Sequence, residues 1–257
     1  MDFLDYGIIV NREVLERIDD MINTILFDLD GTVLPMDFEQ FMIQYFTNLG
    51  YHFKDKIDPH TLVQYVRECS DLMIENNSGL PNETVFMDQF EKLIGHDITE
   101  YKEMFSAYYD TLFQRVQATT YQSQEMIDSV KMLQDKGYTL VLATNPLFPM
   151  KANHHRIRWA GLSPEDFTYI SAFEINHYCK PNVKYFKEVL ETIDKKPEEC
   201  MMIGNDVVDD LGAMKLGIKT YLITDCIVNR KKIDYQVDYE GNYQDFYQFV
   251  KELKSIK

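Results

Sequence analysis

Ile22-Asn23-Thr24-Ile25-Leu26-Phe27-Asp28-Leu29-Asp30-Gly31-Thr32 is the stretch that decides the fold. Its apolar run, Ile22 to Asp28, reads as a short buried strand that stops on an aspartate. Residues i and i+2 of a strand point to the same side, so Asp28 and Asp30 project together where the strand ends. In an open parallel sheet that carboxyl edge is where ligands bind. Two adjacent carboxylates repel each other and are costly without a cation. Gly31 and Thr32 then supply a turn whose backbone N–H groups can meet an anion. The pattern points to a hard divalent cation bridging carboxylates and a phosphate, with one aspartate free to attack phosphorus.

Downstream of Pro35 the periodicity changes for about 85 residues. Phe38, Phe41, Met42, Tyr45 and Phe46 recur at helical spacing, and Gly50 is expected to end that helix. Asp58-Pro59 reads as a cap followed by proline at the first helical position. Asn82 opens a third helix that Gly95 closes, and Thr99 opens a fourth. Residues 36–118 are therefore expected to form an all-helical module. Strand-type runs resume at Tyr138–Thr144, Thr168–Ser171, Cys200–Gly204 and Lys219–Ile223, with helices at 125–136, 151–160, 181–194 and 207–216 between them. Strand and helix alternating in this way predict a doubly wound parallel sheet, an α/β core made of residues 21–35 and 119–257. Residues 1–20 are expected to be an extension, with Asn11 able to cap a short helix, and carry no assigned function.

Taken with its downstream partners, the Asp28–Thr32 motif resembles that of the haloacid dehalogenase-like superfamily of phosphatases and phosphotransferases. The resemblance implies a Rossmann-like core with a helical cap domain inserted after the first strand. It implies that Asp28 is the nucleophile that becomes an aspartyl-phosphate, and that Asp30 protonates the leaving oxygen and then activates water. The second motif, a threonine or serine ending the next core strand, is met by Thr144, with Asn145 helping through its backbone or amide. Gly31, Thr144, Asn145 and Lys180 would hold the phosphate. The third motif is met by Lys180-Pro181, whose cation would offset the clustered carboxylates and the transferring phosphoryl group. The fourth reads Gly204-Asn205-Asp206-Val207-Val208-Asp209-Asp210. Asp206 and Asp210 lie one helical turn apart, so both can face a metal. The family commonly has aspartate directly after the glycine, where this chain has Asn205. Asp28, Asp30 and Asp206 are accordingly assigned to Mg2+, with Asp210 and Asn205 as direct or indirect partners and the register left open.

Composition narrows the class further. Among 257 residues, 42 Asp and Glu against 26 Lys and Arg give a net charge of −16, a field that repels nucleic acid. Cys69, Cys179, Cys200 and Cys226 form no C-x-x-C pair and read as reduced, packed thiols. The start Met1-Asp2-Phe3-Leu4-Asp5 is acidic and unlike a secretory signal, and no apolar run approaches the roughly 20 residues that span a bilayer. The expectation is a cytoplasmic, Mg2+-dependent phosphatase acting on a small phosphorylated metabolite, without nucleic-acid or membrane partners. A phosphomutase shares every motif, and a silent phosphate- or partner-binding protein remains the non-enzymatic alternative. The aromatic stripe of the helical module is read as packing, its cations (Lys54, Lys56, Arg67, Lys92, Lys102 and Arg115) as solvated, and His154-His155 as surface. Substrate identity and oligomeric state are not legible.

Overall fold

The computed structural model describes residues 21–257; the expected N-terminal extension lies outside them. Its centre is a six-stranded, all-parallel sheet: β1 (Thr24–Phe27), β2 (Thr139–Leu142), β3 (Tyr169–Ile170), β4 (Cys200–Gly204), β5 (Lys219–Ile223) and β6 (Tyr239–Gly241). The strands lie in the order β3-β2-β1-β4-β5-β6. The chain winds outward from β1 to β3, then crosses back to β4 on the other flank of β1. The switch point therefore falls between β1 and β4, where the crevice at the strand ends opens. Phe27 is in register with Leu142 on one side and Ile203 on the other, so the residues that follow these strands emerge side by side.

Strand periodicity sorts the core into two layers. Ile25, Phe27, Leu140, Leu142, Met201 and Ile203 pack on one face beneath α5 (Gln124–Lys136) and α8 (Tyr243–Glu252). Leu26, Val141 and Met202 point the other way, against Tyr185, Phe186, Val189 and Leu190 of α7 (Val183–Thr192). Each of these buried side chains contributes about 1.5–3 kcal/mol relative to exposure. Ser123 caps α5 by accepting from the Met126 N–H, and Gly137 at φ 95° stops it.

Between β1 and β2 lies the helical module: α1 (Phe38–Phe53), α2 (Pro59–Ile74), α3 (Asn82–Ile94), α4 (Thr99–Asp110) and a 3-10 helix, Leu112–Thr119. Asp58 caps α2 by accepting from Thr61 N–H with Pro59 at the first position, and Gly95 closes α3. Gly50 does not end α1. It lies inside the helix because Pro59 approaches there, and a Cβ on Gly50 would come within 3.0 Å of the Pro59 Cβ. The chain leaves and re-enters the core side by side, with Asp37 N–H donating to Thr119 O at 3.1 Å and Tyr121 N–H to Pro35 O at 2.8 Å. A second attachment seats the start of α3 on the loop after β3. Asn82 and Glu83 N–H donate to the carbonyls of Asn176 and Phe173 at 2.9 and 2.8 Å, and Asn76 Nδ2 donates to His177 O at 2.8 Å. The module is thus a cap laid over the carboxyl ends of the strands.

One further expectation differs from the structure, and one strand was not foreseen. Residues 207–216 do not form one helix: a tight turn comes first, and only a 3-10 helix, Leu211–Leu216, follows. Strand β6 carries no apolar run that would have announced it. It is held to β5 in register Tyr221↔Tyr239, reinforced by Asp238 accepting from Lys219 and Thr220.

Candidate active site

All four sequence motifs meet at the β1–β4 crevice. Asp28 leaves the end of β1, Thr144 follows β2 by two residues, Lys180 sits before α7, and Asn205 and Asp206 follow β4. Lys180 is 1% exposed, and its ammonium donates to Asp28 Oδ1 at 2.9 Å and Asp210 Oδ1 at 2.7 Å. The other oxygen of Asp210 accepts the N–H groups of Asn205 and Asp206, both at 2.9 Å. Asp210 is therefore turned back into the loop, and does not stand beside Asp206 on a helix face as the four-residue spacing suggested. The helix that would align them has not yet begun at those positions. Gly204 makes room for this arrangement, since a Cβ there would lie 2.2 Å from the Asp210 carboxyl.

Asp206 Oδ1 accepts from the N–H groups of Val208 and Asp209 at 2.7 and 3.0 Å. Asn205 takes a bracing position: Thr32 Oγ1 donates to its Oδ1 at 3.1 Å, and its Nδ2 donates to Cys226 O at 2.6 Å. Gly31, at φ 84°, lies against that amide, and a Cβ would come within 2.2 Å of Nδ2. Both ends of the Asn145 amide are engaged, accepting from Lys180 N–H and donating to Asp209 Oδ2, each at 3.2 Å. Thr144 is 3% exposed on the cavity wall, and its carbonyl accepts from Tyr185 OH at 3.0 Å.

Electrostatics at the crevice are out of balance. Burial, together with Asp210 and Asp30, outweighs Lys180 and pushes the Asp28 carboxyl from 3.8 up to about 8. Burial also raises Asp209 to about 6, aided by Asp206 and Asp210. Burial alone would lower Lys180, but Asp210 and Asp28 override it and hold the ammonium above its ordinary range. Five carboxylates, Asp28, Asp30, Asp206, Asp209 and Asp210, gather at the strand ends around two buried cations, Lys180 paired with Asp28 and Asp210, and Arg156 paired with Asp30.

Arg156 on α6 (Met150–Trp159) is the residue that sequence reasoning missed. It is fully buried, donates to Asp30 Oδ2 and Asn153 Oδ1, and lies over the Phe148 ring at 4.2 Å. Asp30 keeps its other oxygen, Oδ1, buried and without a hydrogen-bond partner among the described residues. His155, read as surface, is half-buried and bonded to Gln114 of the cap at 2.7 Å.

A cavity of 680 Å3 rises from these groups into the cap. Met36, just past the first motif, lines its base, and aromatic side chains of α1, α3 and α4 form its walls. The stripe read as packing is therefore both packing and wall. Among the described residues, no three His, Cys, Asp or Glu side chains stand together as a ready-made metal cluster. Magnesium does not need one, because it retains waters and takes one or two carboxylates alongside substrate phosphate oxygens. The excess of oxygen anions over buried cations at the strand ends fits such an ion.

A doubly wound parallel sheet with a helical cap over acidic strand ends defines a capped Rossmann-like enzyme. The family model described as haloacid dehalogenase-like hydrolase matches residues 22–217, and the chain belongs to that family of hydrolases. Curated relatives include the proteins named pyrophosphatase PpaX of Bacillus mycoides and of Anoxybacillus flavithermus. These are 25% and 27% identical over 221 residues, covering 85% of this chain and 91% of each relative. Among solved structures, a HAD phosphatase from Thermococcus onnurineus aligns with TM-score 0.55 at 20% identity over 91% of this chain and 100% of its own. A 2-haloacid dehalogenase from Pseudomonas syringae aligns with TM-score 0.62 at 18% identity, over 90% and 99%. The HAD-hydrolase YfnB of Bacillus subtilis, whose crystal structure has magnesium bound, aligns with TM-score 0.56 at 20% identity, over 90% and 99%. No helix among the described residues is long and apolar enough to cross a membrane.

Proposed function

We propose that the protein is a Mg2+-dependent phosphohydrolase that removes phosphate from a small phosphorylated molecule through an aspartyl-phosphate on Asp28. The observation that carries this reading is the Lys180 ammonium held at 2.9 Å from Asp28 and 2.7 Å from Asp210 at the floor of a capped cavity. Lys180 neutralises charge on Asp28 and on the phosphoryl oxygens as the two approach, in a site from which the cap excludes water. Asp28 attacks phosphorus and the bond from phosphorus to the ester oxygen breaks. Asp30, held by Arg156, gives that oxygen a proton. Asp30 then takes a proton from a water that attacks the same phosphorus, which releases inorganic phosphate and restores the Asp28 carboxylate.

Asp28 and Asp206 would hold magnesium, whose charge would offset the carboxylates and polarise the phosphoryl group. The Asp30 carboxyl, with Oδ2 on Arg156 and Oδ1 needed for the proton, is kept for acid–base chemistry. Asp206 is the better acidic ligand of the fourth motif, because both ends of the Asn205 amide are committed to Thr32 and Cys226. Asp210 acts through Lys180. Gly31 and Thr144 contact the phosphate, and Asn145 positions Lys180 and Asp209. Residues 36–118 serve as the cap, and 21–35 with 119–257 as the catalytic core. The four cysteines are free thiols, in keeping with a cytoplasmic setting.

The test is phosphate release from a panel of phosphorylated metabolites and pyrophosphate, with magnesium or with chelator. Magnesium-dependent release that is abolished in Asp28→Asn is expected. Turnover retained by Asp28→Asn would remove Asp28 as the nucleophile.

A further inference from the structure

We infer that the substrate carries its phosphate on an apolar, ring-bearing body, so that this site selects hydrophobic organic phosphates over sugar phosphates and pyrophosphate. The inference rests on the phosphohydrolase reading above. Its ground is the contrast between the two ends of the cavity. The floor holds the carboxylates and Lys180, while the deep walls are Phe41, Tyr45, Phe86, Phe105, Phe148 and Phe173. The 680 Å3 volume equals roughly twenty water molecules at ~30 Å3 each, far more than a phosphoryl group fills. It lies within the range of pockets that bury an organic ligand.

The hydroxyls on these walls are already engaged, and the charged groups that line the cavity besides the floor, Arg67, Asp71 and Arg230, are exposed. Ser70 Oγ donates to Val66 O at 2.8 Å, and the hydroxyls of Tyr45 and Tyr109 bond each other at 3.1 Å. Burial pushes Tyr45 up to about 12 and Tyr109 well above the usual phenol range, so both stay neutral. One proton of that hydroxyl pair is left for a single acceptor. A sugar would bury several hydroxyls against rings that offer no further partner, losing roughly tenfold or more in affinity for each. The second phosphate of pyrophosphate finds no buried cation on these walls. Arg156 is engaged by Asp30 and does not line the cavity, while Arg67 and Arg230 line it only as exposed groups, over the Phe46 and Phe38 rings.

The experiment compares kcat/KM for 2-phenylethyl phosphate, glucose 6-phosphate and pyrophosphate with magnesium present. The two esters are both of primary alcohols, so leaving-group basicity does not bias the comparison. Calorimetry with the non-hydrolysable 2-phenylethylphosphonate and methylphosphonate reads binding without turnover. The expected result is kcat/KM at least about 30-fold higher for 2-phenylethyl phosphate than for either competitor, and a similar advantage for the larger phosphonate. Glucose 6-phosphate or pyrophosphate turning over as well or better overturns the inference and leaves the hydrolase reading standing. No phosphate release from any compound overturns the hydrolase reading. The phosphonates then decide this inference alone, which equal affinities would overturn.

Discussion

Replacing Arg156 by methionine keeps an apolar stem beneath Phe148 and takes away the guanidinium. The variant loses the pairing with Asp30, the bond to Asn153 and the cation–π contact. Removing one partner of a buried ion pair costs about 3–5 kcal/mol. The Asp30 side chain is 23% exposed, so water relieves part of its uncompensated charge and the lower end applies. A cost of ~3 kcal/mol corresponds to a fall in Tm of about 6–12 °C for a protein of this size. The kinetic consequence is more specific. With Asp30 as the acid and base, loss of its orientation should lower kcat/KM for an alkyl phosphate by about 100-fold. A p-nitrophenolate departs without a proton, so kcat/KM for p-nitrophenyl phosphate should fall less than about tenfold. Arg156→Lys, which retains the charge without the planar fork, should recover part of the alkyl activity. Steady-state rates on both esters, measured on protein shown to be folded by circular dichroism, provide the check. The ratio kcat/KM reads phosphorylation apart from the shared hydrolysis of the aspartyl-phosphate. Equal losses in kcat/KM on the two substrates, or no loss on either, would refute the claim that Arg156 positions Asp30 for proton transfer.

Asn205→Asp, which restores the residue the family commonly carries, should destabilise the protein by ~1–3 kcal/mol without raising turnover. It places a carboxylate oxygen against Cys226 O, where Nδ2 now donates at 2.6 Å; a gain in kcat would contradict this reading. Gly204→Ala should cost about 100-fold or more in kcat, because the new Cβ displaces Asp210 and Lys180 loses its 2.7 Å partner. Rates close to those of the unaltered protein would show that Asp210 is dispensable. With chelator present, Tm should fall as pH is raised from about 5 to about 8.5. Asp28, raised from 3.8 to about 8, favours folding while protonated, so that contribution is complete below its ordinary value and is lost as pH rises through about 8. Asp209, raised to about 6, acts in the same direction. Added magnesium should remove most of the fall, and a flat profile in chelator would refute the assignment of charge cost to these carboxylates.

The strands were legible because each apolar run is short, buried and closed by a residue with chemistry to offer. Asp28 after Phe27, Thr144 after the β2 run and Asn205-Asp206 after Gly204 all mark carboxyl ends. A parallel sheet then brings them together whatever their separation in sequence. Arg156 was illegible because it stands in His154-His155-Arg156-Ile157-Arg158, a basic run that reads as solvated. Only its helical phase with the buried Ala152, Asn153 and Ile157 betrays it. Gly50 was misread because a glycine that ends a helix and one that admits a neighbouring proline look alike in sequence. The cavity was hidden for a similar reason, since an aromatic stripe at helical spacing has one appearance whether it fills a core or lines a pocket.

Asn205 shows why a departure from a motif need not weaken the site it belongs to. A carboxylate at that position would add a sixth negative group to five that already gather around two buried cations. The amide instead supplies a donor to Cys226 and an acceptor to Thr32, tying the turn after β1 to the segment that follows β5. Gly31 fits against that amide, and its carbonyl accepts from Tyr243 OH of α8 at 3.0 Å, so the turn after β1 is held from two sides. In the proposed reading the acidic role passes one residue on to Asp206, whose Oδ1 is fixed by two backbone N–H groups. Rigidity at the turn and negative charge at the cavity floor are thus supplied by neighbouring residues, where a single aspartate would have to serve both needs.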